Sequence, residues 1–139
     1  MMRVRLRTLE AMALLLAARF LVRFVPLRSW SRLLGTSGPY APADAAHQAS
    51  ATEEKRVHQC SAAVRRAAFR LPGTLCLPQA IGLRWMLKRR RIENAIIVGI
   101  LPAEKRGSAH DLHAWVEWQG HAVLGDSGGN HASLLQFRG

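Results

Sequence analysis

Residues 113–126 read HAWVEWQGHAVLGD, two short stretches rich in apolar residues that are separated by a Gln-Gly pair. A two-residue, glycine-containing connection between such stretches is typical of a β-hairpin. If Trp118 pairs with His121, the same register places His113 opposite Asp126, with their Cβ atoms ~5 Å apart. This hairpin therefore predicts a histidine and a carboxylate within hydrogen-bonding reach on one face of a sheet.

Upstream of the hairpin, Cys76 lies at the predicted start of a helix, because Pro78 is tolerated only in a first turn. A helix N-terminus favours a thiolate and offers free amides to a developing oxyanion. Gln79 is a candidate additional donor, or only a polar residue on the solvent side. With His113 as base and Asp126 as the acid that orients it, Cys76 completes the set of groups that cysteine acyl transfer requires.

Two structural alternatives compete with this interpretation. A lone cysteine or histidine more often belongs to the scaffold, and Cys60, within a predicted apolar helix stripe, is interpreted in that way. The spacing of His110 and His113, with His121 and His131 downstream, is reminiscent of zinc ligands. Residues three apart do not share a face of a strand, so we expect no metal site and no cofactor.

The rest of the chain divides into helices followed by strands. We predict a helix from about residue 5 to 25, a short helix over 27–34, a helix capped by Ser50 and Glu53, and a buried strand over 95–101. The predicted fold is a single α+β domain over 1–139. It comprises an N-terminal helical segment (1–35), a surface linker (36–49), and a region (50–139) in which a Cys-bearing helix packs on a small antiparallel sheet.

The composition limits the partners of this domain. Twenty Lys and Arg against nine Asp and Glu give a net charge of +11, which favours anionic partners. The basic run 84–91 matches no nucleic-acid motif, so it is interpreted as a solvated helix end and nucleic acid is not expected. Two cysteines make no disulfide framework. Two separate thiols in a reducing, cytoplasmic location are expected, with a Cys60–Cys76 bridge as the alternative.

The N-terminus resembles a signal peptide but departs from one. Arginines precede the uncharged run 11–18, which is far shorter than the ~20 residues that a membrane span needs. We interpret this segment as a helix buried on more than one side, with its arginines reaching solvent. Membrane contact is therefore not expected.

Several of these motifs together resemble one family. CLPQA at 76–80, LKRRRI at 87–92, VGI at 98–100 and HAWVE at 113–117, followed by Asp126, are similar to the leader peptidases of lasso-peptide biosynthesis. Those enzymes are cysteine proteases of the transglutaminase-like superfamily, with a transglutaminase-like or papain-like core. The resemblance covers residues 72–127 most specifically, and it implies Cys76 as nucleophile, His113 as base and Asp126 as orienting acid.

The resemblance also implies a substrate and partners. The substrate would be a ribosomally made precursor peptide, cleaved after its leader so that a separate ATP-dependent cyclase receives the core. A separate leader-recognition protein is implied, with the cyclase as a further candidate partner. Leu112 departs from the family's pattern, because relatives often carry a small residue at this position. The sequence after Asp126 gives no clear strand prediction. The alternatives are a non-catalytic basic adaptor that binds an acidic protein or membrane, and a transglutaminase-like acyltransferase.

Overall fold

In this computed structural model, the described part of the chain forms four helices and an antiparallel sheet of five strands. The structure describes residues 1–41, 49–101, 104, 107, 112–125 and 131–138. The helices are α1 (Met2–Phe24), α2 (Leu27–Trp30) with a 3₁₀ turn (Ser31–Leu34), α3 (Ala51–Arg70) and α4 (Cys76–Arg89). The strands are β1 (Thr36–Pro39), β2 (Ala95–Ile100), β3 (Leu112–Trp118), β4 (His121–Leu124) and β5 (Ala132–Arg138).

The sheet has the order β1-β5-β2-β3-β4, with antiparallel neighbours throughout. Helix α4 packs on β3 and β2, α3 contacts β4, and α1 packs on α3 and α4. Apolar side chains from all four helices and from the sheet form the main core, and Ala95, Ile97 and Trp115 form a second, smaller cluster. This arrangement confirms the predicted α+β class. Helix α4 is central in this core, as its broad apolar surface predicts.

Helix α3 begins as its sequence predicts. The Glu53 amide donates to the Ser50 hydroxyl at 3.1 Å, which satisfies one of the free donors at the helix start. The Glu53 side chain, which is expected from the sequence to cap the same helix, has a different partner: its carboxylate accepts from Trp118 Nε1 at 3.1 Å. This carboxylate therefore ties the start of α3 to the end of β3.

Three predictions made from the sequence need correction. Residues 36–49 do not all form a linker, because β1 pairs with β5 at one edge of the sheet. Helix α1 is buried on one side only, through Thr8, Ala11, Leu15 and Ala18, and its opposite face is exposed. The basic run 84–91 is not wholly solvated: Arg84 is fully buried, with Nη1 donating to the Asn94 carbonyl oxygen at 2.9 Å.

An ion pair joins α1 to the end of α4. Arg90 donates to both carboxylate oxygens of Glu10, at 3.0 and 2.7 Å, and Arg89 approaches the same carboxylate at 3.1 Å. Only 18% of the Glu10 side chain is exposed. The hydrogen bond from Arg90 lowers the pKa of Glu10, against the opposing effect of burial.

We expect Glu10→Gln to lower the free energy of unfolding by about 1–3 kcal/mol near neutral pH, because it removes a two-point charged hydrogen bond. Since the pKa of Glu10 is lowered in the folded state, its stabilisation is present above the ordinary carboxylate range and is lost as the pH falls through the lowered value. Urea unfolding of both proteins across pH measures this. Glu54→Gln, at an exposed helix position, is the control and should change little. A pH-independent difference would contradict the assignment.

Candidate active site

The local backbone places Cys76 at the first residue of α4. Leu75 is the extended N-cap residue, and the first helical hydrogen bond runs from the Gln79 amide to the Leu75 carbonyl at 3.3 Å. The amides of Cys76 and Leu77 therefore precede the hydrogen-bonded part of the helix, where backbone donors have no acceptor within the helix. The predicted helix start is confirmed, and Cys76 itself is half-buried.

Gln79 lies beside Cys76, and its side chain braces the preceding loop. Its Nε2 donates to the Thr74 carbonyl at 2.9 Å, while the Thr74 hydroxyl donates to the Leu71 carbonyl at 2.7 Å. A side-chain amide nitrogen carries two hydrogens, so one remains for another acceptor. Gln79 thus holds the loop that leads into Cys76.

His113 lies near the start of β3, and its ring is held by the backbone. Its Nε2 is hydrogen-bonded to the Gly125 carbonyl. Because a carbonyl oxygen only accepts, this bond requires the proton on Nε2, and the neutral ring then has an unprotonated Nδ1. Nδ1 is therefore the nitrogen that can act as a base.

Cys76 and His113 line the same small cavity. Its volume is about 130 Å³, and its walls are formed by Cys76, Gln79, Ala80, His113, Ala114, Leu124 and Gly125. Within the described residues, no hydrogen bond joins the Cys76 thiol to the His113 ring. Catalytic hydrogen bonds are often absent before substrate binds. The structure thus places the nucleophile and base predicted from the sequence on the walls of one cavity, without a preformed pair.

The hairpin turn is as predicted, but its register is not continuous. Trp118 pairs with His121, and both turn residues have positive φ, 53° for Gln119 and 77° for Gly120, as a tight hairpin turn requires. The register then shifts, so that Leu124 faces Val116. This bulge breaks the register argument for placing His113 opposite Asp126. Asp126 itself lies outside the described residues, and its orienting role stays a prediction.

Helix α3 holds the bulge in place. The Val123 carbonyl, within the bulge, accepts hydrogen bonds from the Ser61 hydroxyl at 2.5 Å and from Arg65 Nη2 at 3.1 Å. Ser61 is 1% exposed, so the first of these bonds is buried. The bulge precedes Gly125, whose carbonyl orients His113. Sequence reasoning missed this support, because Ser61 interrupts the apolar pattern of α3 without any motif around it.

The packing around His113 explains why residue 99 is a glycine and what Glu117 does. Gly99 pairs with His113 across the sheet, and a Cβ at Gly99 would lie 2.6 Å from Trp115 Cη2, so only glycine lets the indole lie there. Trp115 Nε1 in turn donates to Glu117 at 3.1 Å. Glu117 therefore holds the indole of Trp115 in place. The rings of His113 and His131 also lie close, with centroids 5.2 Å apart.

The two thiols differ in their access to solvent. Cys60 is 1% exposed, and burial raises the pKa of its thiol. Cys76 is half-buried and lines the cavity. We expect iodoacetamide to label Cys76 in the native protein at least about 100-fold faster than Cys60, because a buried thiol reacts only after local opening. Peptide mapping by mass spectrometry measures both rates, with Cys76→Ser and Cys60→Ser as matched controls. Equal rates would contradict the assignment of Cys76 as the reactive thiol.

Metal binding receives no support from the part of the chain that the structure describes. There, no three His, Cys, Asp or Glu side chains are grouped so that they could hold a metal ion. His110 and Asp126 lie outside those residues.

The comparison with protein families gives a match over nearly the whole chain. The profile of the transglutaminase-like superfamily matches residues 11–137. Neither the curated proteins nor the solved structures gave a match. The matched span runs from within α1 to within β5, and it includes both Cys76 and His113. The chain therefore belongs to the transglutaminase-like superfamily.

Proposed function

We propose that this protein is a cysteine peptidase that removes the leader from a ribosomally made lasso-peptide precursor. The observation that carries the proposal is the cavity shared by Cys76, at a helix start, and His113, whose proton is held on Nε2. The family match supports thiol-based acyl transfer as the chemistry. The substrate class rests on the sequence motifs around Cys76 and His113.

In the proposed reaction, the Cys76 thiol loses its proton to Nδ1 of His113 and attacks the carbonyl of the last leader residue. The free amides at the start of α4 stabilise the oxyanion, with the second Nε2 hydrogen of Gln79 as an additional donor. His113 then protonates the leaving core amine. Water, activated by His113, hydrolyses the thioester and releases the leader acid and the free thiol. Asp126 steadies the imidazolium in this scheme.

The proposed setting has three further components. A separate recognition protein binds the leader and delivers the precursor. An ATP-dependent cyclase takes the freed core and is a candidate partner. The reaction takes place in the cytoplasm, where a free thiol stays reduced.

Mass spectrometry of the precursor, incubated with this protein and the recognition protein, tests the proposal. We expect two products, a leader with a free carboxylate and the core, whose masses sum to the precursor plus one water. Hydrolysis should persist when a small primary amine is added. If the main product were instead the leader joined to the added amine, the protein would be an acyltransferase. An intact precursor, with recognition-protein binding demonstrated, would favour the non-catalytic adaptor.

A further inference from the structure

The exposed face of α1 carries a continuous apolar stripe. It consists of Met2, Leu6, Leu9, Leu16, Phe20 and Phe24, which are between 51% and 76% exposed. At 3.6 residues per turn, these side chains fall within a sector of about 80° along the whole helix. The Phe20 and Phe24 rings lie one turn apart with centroids 5.1 Å from each other. We call these six residues the α1 stripe.

The α1 stripe lies on the outer side of the molecule. Thr8, Ala11, Leu15 and Ala18 face the opposite way and are buried, and α1 packs on α3 and α4. A single helix of 23 residues thus presents an apolar ridge that no part of the described chain covers. Contiguous exposed apolar surface of this kind marks an interaction site.

Charged residues beside the α1 stripe indicate the charge of the surface that it binds. Arg5 and Arg23 are exposed at one border of the stripe, and Arg3 is exposed towards the other side. Glu10 is the only carboxylate of α1, and its charge is compensated by Arg89 and Arg90. The stripe is therefore bordered by cations with no counter-charge of their own on the helix.

We propose that the α1 stripe docks the protein on an anionic lipid surface. An apolar ridge bordered by arginines is the arrangement by which a helix lies in the plane of a bilayer interface, its apolar side chains among the acyl chains and its cations at the headgroups. A flat surface can meet all six side chains of the α1 stripe, because they lie along one side of the helix. The helix lies on the surface and does not cross it: no helix in the described part of the chain has the length and hydropathy needed to span a bilayer.

This proposal departs from the sequence-based expectation of no membrane contact. That expectation depended on α1 being buried on more than one side, and the structure shows burial on one side only. The proposed docking is independent of the peptidase chemistry, since the stripe and the cavity share no residue.

Co-sedimentation of the full chain with vesicles tests the proposal. We expect binding to phosphatidylcholine vesicles that contain phosphatidylglycerol, weaker binding to pure phosphatidylcholine, and a decrease with salt. Leu16→Ser with Phe20→Ser should weaken binding on the order of a hundredfold, because two apolar contacts are lost. Arg5→Gln and Arg23→Gln should each weaken it about fivefold.

The matched control is Leu134→Ser on β5, at a leucine of similar exposure, 48%, and it should bind as the wild type does. Thermal unfolding of each variant verifies that the fold is kept. Failure of the wild type to bind anionic vesicles, or undiminished binding by the Leu16→Ser, Phe20→Ser double variant, would overturn the proposal. Self-association without lipid binding, abolished by the same double variant, would also overturn it and identify the stripe as a protein interface.

Discussion

Cys76→Ala is expected to lower the rate of precursor cleavage by a factor on the order of 10⁴ or more, because no other group replaces the attacking sulfur. The residue is half-buried at the start of α4, so its replacement by alanine should leave the fold intact. Initial rates of leader release, followed by chromatography and mass spectrometry, give the factor. Thermal unfolding of the variant serves as the check on folding.

Cys60→Ala is the matched control for this experiment. Cys60 lies in the core with 1% exposure and does not line the cavity. Its replacement should cost stability of about 1 kcal/mol while leaving the cleavage rate within a few-fold of wild type. A Cys76→Ala protein that cleaves the precursor at the wild-type rate would refute the nucleophile assignment.

His113→Ala has the second largest expected effect, a decrease in the cleavage rate of about 10³- to 10⁴-fold. The reason is that both proton transfers, from the thiol and to the leaving amine, depend on the same ring. Because Nε2 is hydrogen-bonded to the Gly125 carbonyl and the ring lines the cavity, Nδ1 is the nitrogen expected to accept and return the proton.

The control for His113 is His121→Ala, since His121 is an exposed histidine on β4 outside the cavity. It should leave the cleavage rate unchanged. Steady-state kinetics of the two variants under identical conditions provide the comparison. Similar losses of cleavage rate in both variants would mean that cleavage depends on the structure of the hairpin and not on the imidazole of His113.

How far the site could be predicted depended on the range of the interactions involved. The start of α4 at Cys76 follows from local rules for Pro78, and the hairpin turn follows from the Gln-Gly pair, so both were predictable. The register beyond Glu117 was not, because the bulge is stabilised by Ser61 and Arg65 of α3, which are distant in sequence. The orienting carbonyl of Gly125 depends on the same long-range contact.

The same reasoning explains the errors in the fold. The sequence predicts neither β5 nor β1, and residues 36–39 read as part of a linker. The reason is that β1 pairs with β5 and β5 pairs with β2, which are contacts between segments distant in sequence. For α1, the sequence shows apolar residues on both sides of the helix but not which side meets α3 and α4. Only the packed structure shows that one apolar face remains exposed.

The central claim is that Cys76 carries the leader as an acyl group. The most direct test uses the leader as a C-terminal thioester, so that acylation is fast and the acyl-enzyme accumulates before an acid quench. Intact mass spectrometry should show wild type and Cys60→Ala heavier by the leader minus one water, with the adduct mapped to Cys76 and labile to hydroxylamine. Cys76→Ala should show no adduct. An adduct of equal yield on Cys76→Ala, or none on the wild type, would contradict the account.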